Sequence, residues 1–134
     1  MAWLSRYQPQ LLSILRIVAG LLFLEHGMQK ILHFPPLPAA MLAAIPPKMM
    51  PIIITAGFIE LIGGALIAVG LFTRLAAFIC SGEMAIAYWI AHVPRGGFFP
   101  AVNGGDAAIL FCFVFLFIAA AGPGPWAVSK SAKL

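Results

Sequence analysis

The sequence predicts an all-α fold: an integral-membrane four-helix bundle with short interfacial segments in the loops of one side. Three observations predict it. Of 134 residues, 63% are hydrophobic and 9% charged, with a mean hydropathy of +1.04, whereas a soluble domain carries roughly a quarter charged residues. Four apolar blocks follow one another, each closed by proline or glycine. The four acidic residues fall one to a block, and the connections hold none. A chain of this length fits a single transmembrane domain over 1–134, since each crossing takes about 20 apolar residues.

The first helix is expected over about 10–33, ended by Pro35, Pro36 and Pro38. The second, over about 50–71, enters after Pro46, Pro47 and Pro51. The third, over about 73–93, ends before Pro94, and the fourth, over about 105–121, stops at "GPGPW". Proline cannot donate a backbone hydrogen bond and breaks helix interiors, which gives these limits a mechanism. Two long connections, "HFPPLPAAMLAAIPPKMM" and "PRGGFFPAVNGG", fall on one side. The first holds an apolar piece at about 39–45, too short to span and suited to lie at the interface as a lid. Arg6, Arg74, Lys130 and Lys133 lie on the side of the termini, against Lys30, Lys48 and Arg95 on the other. By the positive-inside rule both termini are expected in the cytoplasm. The opening segment is too long for a cleaved signal and carries Arg16, so it reads as the first helix.

The net charge of +4 does not indicate nucleic acid. The basic residues are scattered, form no stripe, and read as membrane-flanking charge.

The acids carry the functional interest. Glu25, Glu60, Glu83 and Asp106 each belong to a different helix, and ionisable groups inside membrane helices face the bundle interior and mark a polar pathway or site. At about 1.5 Å of rise per residue, Asp106 and His92 fall near the surface of the two long loops. Glu25 and His26 come roughly 10 Å in, and Glu60 and Glu83 roughly 14–17 Å in. These six residues are expected to form a descending polar ladder, a pocket or half-channel for protons or a small ligand. Arg16 and Lys30 would balance its charge. Gly57, Gly64 and Ala68 share a helix face with Glu60 and turn it inward. The same acids also suit a structural reading, hydrogen-bonded across helices to fix their register. Asp106 has a local explanation too, because an acid after "NGG" favours a helix start.

Cys80 and Cys112 form no CxxC pair. Counted from their helix ends, their depths differ by roughly 12 Å, too far for a disulfide, whose Cα atoms lie within about 7 Å. No E-x-x-H spacing occurs, so a di-iron-type metal site is not expected, and lone histidines such as His26 and His92 are weak haem ligands. A quinone-like ring could be walled by Phe98, Phe99, Trp89, Phe111 and Phe115 near His92 and Asp106.

The runs "LRIVAGLLFLEHGMQK", "GFIELIGGALIAVGLFTRLAA" and "FFPAVNGGDAAILF", closing with "GPGPW", resemble the DoxX family of small bacterial membrane proteins. The likeness runs from Leu12 to Trp126 in the family's four-helix order. Matching positions are Arg16, Gly20, His26, Gly27, Lys30, Glu60, Gly63, Gly64, Gly70, Arg74 and Asp106. The resemblance implies a multi-pass inner-membrane protein. Some members are named for association with terminal oxidases or thiosulfate:quinone oxidoreductases, and others are linked to membrane oxidoreductase complexes in oxidative-stress defence. It supplies no catalytic residue set.

Three function classes accommodate these residues. One is a subunit of a quinone-linked redox system in which Glu60 and Glu83 relay protons and His26 and His92 contact the ligand. The second is a small-solute or proton transporter, which needs access from the terminal side as well. The third is a structural or assembly subunit. Expected partners are the bilayer, other subunits of a membrane oxidoreductase complex, or a second copy packed through Gly57, Gly63 and Gly64.

Overall fold

A computed structural model describes residues 1–129; the basic tail at Lys130 and Lys133 lies outside the described residues. The order is α1 (Ala2–Ser5), α2 (Gln8–Ile31), α3 (Ala39–Ala43), a 3-10 turn Pro47–Met49 leading into α4 (Met50–Val69), and α5 (Thr73–Ala87). A π-helical turn, Tyr88–His92, carries α5 into α6 (Val93–Gly96), followed by α7 (Pro100–Asn103) and α8 (Asp106–Ala121). Three continuous stretches are long and apolar enough to cross a membrane: Gln8–Ile31, Pro47–Val69 and Thr73–Gly96. Helix α8, at 16 residues, spans about 24 Å, short of the roughly 30 Å hydrocarbon thickness. The fold is all-helical with three helices of spanning length and a shorter fourth.

Proline punctuation marks most of the boundaries, with one correction. Helix does not stop before Pro94. The π turn releases the regular bonding ladder there, and Pro94 falls in the first turn of α6, where its missing N–H is tolerated. The short apolar piece expected at 39–45 is α3. Gly70, at φ 79°, closes α4 in the left-handed region that favours glycine.

Helices α2 and α4 pack along their length as an antiparallel pair, as do α5 and α8; α4 and α5 join the pairs, and α2 touches α8 only lightly. Glycine makes the first pairing close. A Cβ on Gly20 would stand 2.6 Å from the Ala68 nitrogen, one on Gly27 2.3 Å from that of Leu61, and one on Gly64 2.5 Å from that of Leu24. Backbone thus lies against backbone, as small residues permit in membrane helices. Gly57 abuts Lys30 and Ile31, and Gly63 faces the Cys80 sulfur. The glycines considered for a contact between copies are therefore occupied within the chain.

The end of the bundle nearest the termini is tied by arginines. Arg16 is fully buried and donates to the carbonyls of Pro123 (2.7 Å), Ile67, Ala68 and Trp126 (each 2.6 Å). Arg74 donates to the carbonyls of Ala119 (2.8 Å) and Ala120 (2.6 Å). The last carbonyls of a helix lack intrahelical partners and carry the negative end of its dipole. Arg16 and Arg74 satisfy those of α4 and α8.

The depth estimate for the cysteines needs correcting. The Ser81 hydroxyl donates to the Cys112 carbonyl at 2.8 Å, so positions 80 and 112 lie at nearly one level. Counting inward from the loop end misplaced Cys112 because α8 is short. Direction separates the thiols instead: Cys80 turns to Gly63 on α4, whereas Ser81 and Cys112 meet across α5 and α8.

The glycine contact predicts a sharp contrast. Gly27→Ala should destabilise the bundle by about 1–3 kcal/mol, because the new methyl overlaps α4 backbone that cannot move aside cheaply. Gly82→Ala, where a Cβ meets nothing within 4 Å, should be neutral or slightly stabilising. Reversible unfolding in mixed micelles checks both.

Candidate functional site

The buried face of α2 carries Arg16, Gly20, Phe23 and Gly27, and Lys30 continues it one turn beyond Gly27. Lys30 sits level with Gly57 of α4. Side chains lean toward the N-terminus of their own helix, so in this antiparallel pair Lys30 leans into the bundle and Glu60 leans to meet it. Lys30 Nζ and Glu60 Oε1 form an ion pair and hydrogen bond, the one salt bridge found among the described residues. Its two ends differ in exposure: the Glu60 side chain is 2% exposed and that of Lys30 27%. The site opens on the lysine side.

Glu83, on α5, lies within electrostatic reach of both Glu60 and Lys30. Each carboxylate keeps one buried oxygen, Oε2, without a hydrogen-bond partner. Buried polar atoms are nearly always paired, so two orphaned carboxylate oxygens beside one ammonium form an unusual concentration of unmet bonding capacity. Such groups could hold a proton, or bond to a small polar head with donors of its own.

The other residues of the expected ladder lie apart from this trio. Glu25 and His26 are exposed; the His26 ring meets Phe111 of α8 edge-on, centroids 6.3 Å apart. Asp106 is exposed in the first turn of α8, as its position after "NGG" suggested. His92 belongs to the loop end, its Nδ1 3.4 Å from the Asn103 carbonyl oxygen and its ring stacked on Tyr88. Arg16 lies at the opposite end, where its hydrogen bonds go to backbone carbonyls. Glu60, Glu83 and Lys30 are the expected site residues that the fold gathers. Among the described residues no three His, Cys, Asp or Glu side chains lie close enough together to hold a metal ion.

Two residues outside the expected site organise the loop above it. Buried Asn103 donates to the Gly97 carbonyl at 2.7 Å and to the Tyr88 hydroxyl at 3.3 Å, and accepts from the Gly105 N–H at 2.7 Å. Tyr88, in the π turn, donates to the Phe98 carbonyl. The Asn-Gly-Gly run signals the local turn, because asparagine bonds to backbone two residues on. Its reach to Tyr88 has no local signal.

The family profile for DoxX matches residues 11–93. The chain belongs to the DoxX family. A protein of Haemophilus influenzae, described as uncharacterized, is similar to it, 42% identical over 129 residues that cover 95% of this chain and 94% of the relative. No solved structure matches the chain. The DoxX match takes in α2, α4 and α5, and with them Lys30, Glu60 and Glu83. Multi-pass residence in the inner membrane accords with DoxX membership and with the three helices of spanning length.

The ion pair is testable by a double-mutant cycle. Lys30→Met strands a buried carboxylate and should cost about 2–3 kcal/mol, below the 3–5 of a fully enclosed pair because Lys30 retains some solvent. Adding Glu60→Met should recover most of that loss. Unfolding free energies of the two single variants and the double variant check the coupling.

Proposed function

We propose that this DoxX protein is the membrane subunit of a quinone-linked redox system, and that Lys30, Glu60 and Glu83 handle the protons that accompany the quinone's electrons. One observation carries the reading: two carboxylates, each with an orphaned buried oxygen, lie within electrostatic reach of one another, and one of them pairs with Lys30. One ammonium and two carboxyls make a neutral group when a single proton is held, so the loaded trio carries no net charge in the hydrocarbon and passing its proton on changes that charge by only one unit. Lys30 gives the trio its wetter side.

A hydrophobic ligand also has an approach. An apolar furrow of about 250 Å³ runs between α4 and α5, with Phe58, Ile62, Ile79, Gly63 and Cys80 among its walls. Gly63 lies one turn from Glu60 and Cys80 one turn from Glu83, so the furrow ends beside the carboxylates. It suits a tail lying in lipid with its polar head at the trio. In this proposal His92 and Asp106 border the loop side of the site, and α8 completes the membrane crossing as a fourth helix.

The packing below Glu60 weighs against a through-route for solute or ions. Phe23, Ile67, Phe115 and Ile118 are each at most 1% exposed, and Arg16 is fully buried beyond them.

The test is quinone-dependent electron transfer in membranes that lack the native chain and carry variants of it. Glu83→Gln removes an ionisable group while leaving the Lys30–Glu60 pair intact. It should lower the rate by about tenfold to a hundredfold, the range for a lost proton-transfer group, at unchanged protein level. A wild-type rate with Glu83→Gln and with Glu60→Gln would overturn the assignment.

A further inference from the structure

The outward face of α2 poses a problem that the bundle does not solve. Glu25 lies nine residues from Arg16, half a turn around the helix, so it points directly away from the packed face and is exposed. It sits roughly 9 Å along the helix from Ile31, directly after the apolar run 21–24. Lipid tails offer a carboxyl group no hydrogen-bond donor, and such residues in membrane helices face protein or a wet cavity.

The surrounding residues supply a pattern. Leu11, Leu15, Val18, Leu22, Glu25 and Gln29 follow one another in alternating steps of four and three. The first five are exposed and Gln29 is half-buried. A 3.5-residue repeat is the spacing at which two helices wrap about one another in a left-handed crossing. The apolar members of the row also suit lipid, but Glu25 and Gln29 in the same row do not.

We propose that a second copy of this chain covers that face, α2 lying parallel to α2 across a two-fold axis along the membrane normal. Symmetry sets each Glu25 opposite its counterpart at one depth, where two facing carboxyls can share a proton. His26 stands at the same level beside the seam, so its ring N–H can donate to Glu25 of the second copy. Gln29 gives a second polar layer one turn on. The chain's own surface thus offers both the apolar knobs and the donors that Glu25 lacks. The neighbouring furrow between α2 and α8, about 710 Å³ with Leu11, Leu15 and Phe117 in its walls, continues the seam toward the terminal end and leaves room for the second helix's flank. The inference stands independently of the redox reading.

Full-length protein in vesicles of phosphatidylethanolamine and phosphatidylglycerol tests it. With Cys112→Ser in place and Cys80 left buried, Val18→Cys should oxidise to a disulfide-linked species of twice 14.3 kDa. Ile62→Cys, on the exposed face of α4, should stay monomeric. Energy transfer between separately labelled populations gives the affinity. Glu25→Leu should weaken self-association by about tenfold, the worth of one or two interhelical polar bonds. Glu25→Gln, which can still bond across the axis, should largely retain it. A monomer at every protein-to-lipid ratio, equal cross-linking from positions 18 and 62, or undiminished association of Glu25→Leu would each overturn the proposal. So would Val18→Cys cross-linking in cells only to a different membrane protein.

Discussion

The close contact between α2 and α4 sets the positions on which the site depends. Gly20, Gly27 and Gly64 remove the side chains that would hold the two backbones apart, and the helices run antiparallel at that short distance. Because side chains lean toward their own N-terminus, two positions one turn apart on such a pair point into the same space. Lys30 and Glu60 are those positions. A wider separation would leave the ammonium nearer water and the carboxylate alone in the interior. Buried ions without a partner cost several kcal/mol, so the glycine contact and the ion pair depend on each other.

Charge elsewhere in the bundle is assigned by the same physics to another task. Helix ends inside a membrane protein expose carbonyls that lipid cannot satisfy. Arg16 makes four hydrogen bonds to such groups, two to carbonyls of α4 and two to carbonyls of the "GPGPW" segment. This closes the terminal end and anchors the segment after α8. The backbone N–H of Trp126, donating to Ser13 Oγ at 3.2 Å, adds a further tie there. The loop end is fastened differently, by neutral bonds among Tyr88, Asn103 and backbone. The bundle is therefore sealed by arginine–carbonyl hydrogen bonds at one end and by a polar clasp at the other, with the Lys30–Glu60–Glu83 group between them.

Helix placement was largely legible because its signals are local. Prolines, Gly70 and the NGGD start each act within a turn of themselves, and the four blocks follow from them. Pro94 misled because a π turn had already altered the bonding pattern before it. Depth along an axis could be counted, but only from a correct helix length, and Cys112 was misplaced for that reason. Direction around the axis was harder. Helical periodicity places Arg16, Lys30, Gly20 and Gly27 on one face of α2 and Glu25 half a turn away. Recognising the glycine face as the packed one would have set Lys30 beside Glu60 and turned Glu25 outward. Arg16 carried no such clue, since its partners are carbonyls and every sequence supplies those equally. The Tyr88–Asn103 clasp was equally hidden, because it joins residues through a loop whose path only the fold determines.

The most direct measurement is the distance between Lys30 Nζ and the Glu60 carboxyl carbon in protein reconstituted into bilayers. Rotational-echo solid-state magnetic resonance with 15N-lysine and 13C-glutamate reads it. The predicted result is strong dipolar dephasing of the Lys30 amine resonance, abolished by Glu60→Gln and preserved in Glu25→Gln. A Lys30 resonance without dephasing, or with dephasing insensitive to Glu60→Gln, would contradict the account.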